Sequence, residues 1–181
     1  MTLPPIIVTA HVVSEDLEFF NALRRRHFPA ERNFLDAHIT MFHHLPGRYL
    51  EEIKDIATDV LSQSQPFVAE VAGVRHLGSG VAFQIASGIL TELRAALKNK
   101  LGAWPGPQDQ QKFQPHITIQ NKVARSKADK LFFELRESYQ PRSILITGID
   151  LWSYLNGPWR HEAFIASAIA NRPDFQIADT V

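Results

Sequence analysis

Two triplets in this 181-residue chain could do chemistry together: His38-Ile39-Thr40 and His116-Ile117-Thr118. Imidazole changes charge near neutral pH, with an unperturbed pKa of ~6.5, so one ring can take a proton while another gives one. A threonine hydroxyl can hydrogen-bond a phosphate oxygen and hold the phosphorus in line between two such rings. Side chains alternate along a strand, so His38 and Thr40 point one way while Ile39 and Met41 point the other. His116 and Thr118 do likewise, opposite Ile117 and Ile119. Brought face to face, the two polar faces form a set suited to making or breaking a phosphate ester. That set requires neither a metal nor a cofactor.

Other polar side chains are weaker candidates. His43 and His44 follow the first motif, but strict alternation sends His43 to the face opposite His38. His44 shares His38's face yet lies ~20 Å along the strand, too far to share an ion, so no metal site is expected. His11, His27, His76 and His161 have no companion pattern and read as structural or exposed. Arg24-Arg25-Arg26 reads as a charged helix end in solvent rather than a phosphate-binding patch. Trp104, Phe113, Trp152, Tyr154 and Trp159 could stack on a base, although most aromatics in a chain of this size are core. One of Trp152 or Tyr154 is favoured to line a cleft.

The elements that must hold the motifs are legible on either side of them. Residues 6–13 are β-branched and compact, a strand. Ser14 then serves as an N-cap, with acids in the first turn of a helix running to about Arg26. Residues 50–61 carry apolar side chains at helical spacing, as do Ile89, Leu90, Leu93, Leu97 and Leu101, and 126–138 form a third amphipathic stretch. Residues 67–77 and 81–86 read as strands around Gly78-Ser79-Gly80, and 144–155 with 159–169 as a hairpin around Asn156-Gly157. The loop 102–114, with its Trp-Pro-Gly-Pro, is the candidate gate of a cleft. The tail after Arg172 reads as short, polar and loose.

The two halves have the same order. Strand, helix, loop and His-Ile-Thr strand recur, each followed by a helix and by a strand with a small-Gly-β-branched triplet, Ala72-Gly73-Val74 and Thr147-Gly148-Ile149. The offset is 78 residues at the histidines and 75 at the glycines. A bare His-x-Thr match is a weak signal; its recurrence at matched points of a repeat is a strong one. Residues 1–181 are therefore expected to form a single domain built of two pseudo-symmetric lobes that face each other across a pseudo-two-fold axis.

Composition narrows the class further. Apolar residues make up 45% and charged residues 21%, as in an ordinary globular domain, which argues against wholesale disorder. Nineteen basic residues balance nineteen acidic ones, so no global field would draw the chain onto long nucleic acid. With no cysteine, disulfides, thiolate metal sites and a cysteine nucleophile are excluded. No apolar run approaches the ~20 residues of a membrane span, and Met1-Thr-Leu-Pro-Pro does not open a signal peptide. A cytoplasmic monomer with no membrane partner is the expectation.

His38-Ile-Thr-Met-Phe-His-His-Leu-Pro-Gly and Pro115-His-Ile-Thr-Ile-Gln resemble the paired His-x-Thr-hydrophobic motifs of the 2H phosphoesterase superfamily. Within it the chain is similar to the 2′-5′ RNA ligase and cyclic phosphodiesterase group, over about residues 6–170. The resemblance implies an α+β fold of two lobes, with antiparallel sheets flanking a central trough and helices outside. It implies metal-independent action on 2′,3′-cyclic or 2′-5′ phosphodiester bonds, with a small nucleotide or an RNA end as substrate. His38 and His116 would be the acid–base pair and Thr40 and Thr118 the phosphate binders. RNA ligation in the reverse direction would use the same four residues, and a non-catalytic nucleotide- or RNA-end-binding module would keep the same trough. Related proteins often carry an arginine shortly after the second motif. Gln120-Asn121-Lys122 stands here, which makes Lys122 the candidate cation.

Overall fold

The computed structural model describes residues 3–168. Strand β1 (Ile6–Val12) leads into helix α1 (Ser14–His27), and β2 (Ile39–Leu45) carries the first motif. Helix α2 (Leu50–Leu61) and β3 (Phe67–His76) complete the first half. The second half repeats the order with β4 (Val81–Ala86), α3 (Gly88–Leu101), a short α4 (Pro107–Gln110), β5 (His116–Gln120), α5 (Arg125–Glu137) and β6 (Arg142–Tyr154). β7 (Trp159–Ala166) closes the hairpin. Its turn takes Asn156 and Gly157 to positive φ, the geometry that Asn-Gly tolerates best. The strand expected to reach Ile169 is observed to Ala166, and the tail after Arg172 lies outside the described residues.

The helices form where the apolar spacing predicts. Ile53, Ala57, Val60 and Leu61 bury one stripe of α2, and Leu90, Leu93, Leu97 and Leu101 one stripe of α3. Ser87 caps α3 by accepting the Leu90 N–H at 3.1 Å, satisfying one of the donors a helix start leaves open. Ser14 does not cap α1; it is the first helical residue, and Val13 stands at the N-cap position without a side-chain bond. Among the described residues no helix is long and apolar enough to cross a membrane.

The fold is α+β, a curled antiparallel sheet with five α-helices among the described residues. Its strand order is β2-β1-β6-β3-β4-β5, with β7 also paired to β6. Each half lends its last strand to the other: β1 pairs with β6, and β4 pairs with β3. β6 is long enough to serve both lobes. Its start pairs with β3 between Arg142 and Ile146, and its remainder lies between β1 and β7. The two repeated glycines sit at matching irregularities of these exchanged strands, Gly73 where β3 slips against β4 and Gly148 where β6 slips against β1. A side chain at Gly148 would overlap the Ile165 carbonyl of β7.

Both motif strands bulge at the residue after threonine. Thr9 faces Thr40 while Val8 faces Phe42, so Met41 is an extra residue in β2. Ala82 faces Thr118 while Val81 faces Gln120, so Ile119 is the extra residue in β5. A bulge shifts the alternation of side chains beyond it. Ile39, Met41, Phe42 and Leu45 are all buried in the core, and everything after Thr40 or Thr118 is re-aimed.

Candidate active site

The four motif residues line one pocket of about 420 Å³, His38 and Thr40 from β2 and its approach, His116 and Thr118 from β5. Each imidazole is held in the same way. Nδ1 of His38 lies 2.7 Å from the Asp36 carbonyl, and Nδ1 of His116 lies 2.8 Å from the Gln114 carbonyl. A carbonyl only accepts, so Nδ1 carries the proton in both rings. Nε2 is thereby the free nitrogen of each ring, an acceptor when the ring is neutral and a donor when it is charged.

The setting disfavours charge on both. Burial in the pocket pushes His38 down to about 4; the bond to the Asp36 carbonyl opposes this, while Arg24 and His116 add to it. Burial also lowers His116, against its bond to Gln114, and the charges of Arg75 and His43 lower it further. The pocket thus presents two largely neutral imidazoles at pH 7 in a cationic surround, a setting in which an arriving anion makes protonation easier.

Two buried arginines tie the motif strands together. Arg24, on α1, is 4% exposed. It donates from Nη1 to the Thr118 carbonyl at 2.8 Å, and from Nη2 to Asn33 Oδ1 and the Leu35 carbonyl at 2.9 and 3.0 Å. Arg94, on α3, donates from Nε to the Met41 carbonyl at 2.9 Å and from Nη2 to the Asp109 carbonyl at 2.8 Å. Each half therefore sends an arginine to the other half's motif strand and to the loop that precedes its own motif. Arg24 is thus not part of a solvated helix end. α1 packs on β5, and Arg24 lies on the packed side while Arg25 and Arg26 stay exposed. Burial lowers Arg24 to about 10, with Asp36 opposing, so it stays charged at neutral pH.

The remaining sequence candidates are distributed unevenly. His43 lines the same pocket as His38, because the bulge at Met41 cancels the alternation that would turn it away. His44 is exposed, with its ring 5.5 Å from Tyr154. Lys122 is not in this pocket. The bulge at Ile119 turns Gln120 inward, β5 ends there, and Lys122 follows at a φ of 57°. It faces a separate cavity shared with Arg26, His27 and Lys127. Tyr154 lines neither cavity.

Trp152 lines a second groove of about 600 Å³ that meets the motif pocket at His38. Its indole N–H donates to Thr9 at 2.9 Å. Trp159 stands beside it, with its ring 4.7 Å from that of His38. Asp150, 8% exposed, accepts from His11 and His161 in the wall of this groove at 2.7 and 2.8 Å. Sequence reasoning missed Arg94, Asp109, Arg75 and the pocket-facing His43. The loop 102–114 contributes Asp109, Lys112, Phe113 and Gln114 to the pocket wall. Among the described residues no group of three or more His, Asp or Glu side chains is arranged to hold a metal ion.

The fold and the paired motifs can be set beside known proteins. No curated protein sequence matches the chain. Among solved structures it is similar to a phosphoesterase, at 16% identity and a TM-score of 0.63 over 92% of this chain and 99% of that one. It is similar to E. coli LigT complexed with 3′-AMP, at 16% identity and a TM-score of 0.62 over 92% and 99% of the two chains. TT0787 of Thermus thermophilus has a TM-score of 0.66 at 14% identity, over 90% and 97%. At these identities the likeness is one of fold. The family model of the 2′-5′ RNA ligase superfamily matches residues 12–158, a span holding both His-Ile-Thr strands and leaving out β7 and all of β1 but Val12, and the chain belongs to that superfamily, within the 2H phosphoesterases.

Proposed function

We propose that the protein is a metal-independent phosphodiesterase that opens 2′,3′-cyclic or 2′-5′ phosphodiester bonds of nucleotides or RNA ends. The observation that carries this reading is the matched pair of imidazoles in one pocket. Each has Nδ1 committed to the carbonyl two residues upstream and Nε2 left free. One neutral ring accepts a proton from water as its oxygen bonds to phosphorus. The other ring, protonated, gives its proton to the ester oxygen as the phosphorus–oxygen bond breaks. Thr40 and Thr118 donate to non-bridging oxygens, whose charge grows in the transition state. His38, whose environment opposes its charged form most, is the ring present in neutral form to accept a proton, and His116 is the one left to donate.

The groove of Trp152 and Trp159 adjoins His38 and offers aromatic faces to a nucleoside. LigT, which shares this fold, has been crystallised with 3′-AMP, NADP+ and ATP, and ligands of that kind fit the same reading here. The test is hydrolysis of a panel of 2′,3′-cyclic nucleotides, with EDTA present, by wild type and by the His38→Ala/His116→Ala double variant. Wild type should turn over at least one substrate, and the double variant should be slower by several orders of magnitude. Equal turnover by the two proteins would refute the mechanism. Binding without turnover would favour a nucleotide- or RNA-end-binding module.

A further inference from the structure

The motif pocket contains a third imidazole that the mechanism above leaves idle. Nδ1 of His43 lies 2.8 Å from Oδ1 of Asp109, and the His43 backbone N–H donates to both oxygens of that carboxylate at 3.1 and 3.2 Å. Asp109 is 1% exposed. Burial alone would raise its carboxyl, but the bonds from His43 and the charges of His43 and Arg94 outweigh it and hold the group below the ordinary range. An ionised carboxylate only accepts, so the His43 proton at Nδ1 is fixed and Nε2 is the free nitrogen. Among the described residues Nε2 has no protein partner, and the side chain is 41% exposed where it lines the pocket with His38, Thr40, His116 and Thr118.

A purely structural role accounts for only part of this arrangement. The backbone N–H of residue 43 would fasten the Asp109 loop to β2 whatever its side chain. The ring adds an oriented nitrogen on the wall of the pocket. The charged and titratable groups around that wall are Arg75, Arg94, Lys112, His38, His116 and Asp109. The single carboxylate among them is turned inward to His43, so the surface left for a ligand is cationic.

We propose that His43, oriented by Asp109, is a third catalytic residue that contacts the phosphate of the substrate. Protonated, it donates from Nε2 to a non-bridging oxygen and keeps its proton throughout, while bond making and breaking stay with His38 and His116. The chemistry it selects is an anionic phosphodiester and its phosphomonoester product. Such a donor strengthens as negative charge collects on the non-bridging oxygens. The assignment rests on the phosphodiesterase reading, and the experiment below separates the two.

His43→Asn places an amide N–H where Nδ1 stood, keeping the bond to Asp109 while deleting Nε2. His43→Gln does the converse. Each is compared with wild type in turnover of a 2′,3′-cyclic nucleotide, in affinity for inorganic phosphate by calorimetry, and in thermal stability. The Asn variant should keep the wild-type melting temperature, lose ~10²-fold or more in kcat and bind phosphate about tenfold more weakly. The Gln variant should recover part of both losses. Wild-type kcat and phosphate affinity in the Asn variant would overturn the proposal, as would failure of wild type to bind phosphate at all. If wild type hydrolyses nothing but binds phosphate, the affinity comparison still decides the role of His43. If the His38→Ala/His116→Ala variant matches wild type in turnover, it is the two-histidine mechanism of the phosphodiesterase reading that fails, whatever His43 does.

Discussion

At the scale of single residues, the site depends on which nitrogen of each ring is left free. A backbone carbonyl at Nδ1 fixes the tautomer of His38 and of His116, so neither ring must turn before it can exchange a proton with a ligand. The cost is borne electrostatically, because both rings sit where burial opposes their charged forms. This has a sign that can be tested. Productive free enzyme needs His38 neutral and His116 protonated. Raising the pH through the depressed value of His116, below 6.5, removes the acid; lowering it toward about 4 protonates the base. kcat/KM should therefore peak on the acidic side of pH 6.5. The alkaline limb of kcat should lie at higher pH, because bound phosphate stabilises the imidazolium. A pH series of steady-state kinetics checks this, and a kcat/KM maximum above pH 7.5 would refute the lowering of both rings on which it rests.

The catalytic candidates were legible in the sequence because their chemistry is local: a histidine and a threonine on one face of one strand. The supporting residues were not. Arg24 looks like its two neighbours until α1 is laid on β5, and Asp109 is an unremarkable loop residue until its carboxylate meets His43 across 66 positions of chain. Strand periodicity misplaces His43 for a definite reason. Alternation holds only along a regular strand, and nothing in Met-Phe-His-His announces the extra residue at Met41.

At the scale of elements, the repeated bulge after each threonine and the pair of arginines have related roles. The bulges end the regular face of each motif strand just beyond the hydroxyl, and the arginines grip the carbonyls there, Thr118 and Met41. Because each arginine comes from the opposite half, the spacing of the two motifs is set by side chains rather than by a shared strand edge. Arg24→Met and Arg94→Met should each leave buried carbonyls without donors. Each should cost about 2–4 kcal/mol of stability in urea unfolding. Arg24→Lys should rescue little, since a point charge cannot bond Thr118, Asn33 and Leu35 together. Turnover in the variants, measured where they remain folded, should fall through kcat, because the rings and hydroxyls would lose their alignment. Wild-type stability and turnover in Arg24→Met would show that packing of α1 alone suffices.

At the scale of the whole molecule, the duplicated pattern announces two similar lobes but not how their edges join. Apolar periodicity identifies strands and says nothing about which strand lies beside which. The exchange of last strands is the feature that periodicity hides, and it makes each sheet half depend on both halves of the chain. β1 has its long partner in β6, from the far end of the sequence, and β4 has its partner in β3, from the first half. β6 runs unbroken from the β3 edge to the hairpin with β7, so separating the lobes would strip backbone partners from both at once. Buried backbone groups left unpaired are costly, and that couples the unfolding of one lobe to the other. Equilibrium unfolding in urea should accordingly be a single transition. Tryptophan fluorescence reports on Trp152, bonded to Thr9, and on Trp104, stacked on Tyr49, while far-UV circular dichroism reports on all the helices. The two curves should superimpose with one midpoint. Two resolved midpoints would mean that β6 does not couple the halves, and that the trough is held by the arginines alone.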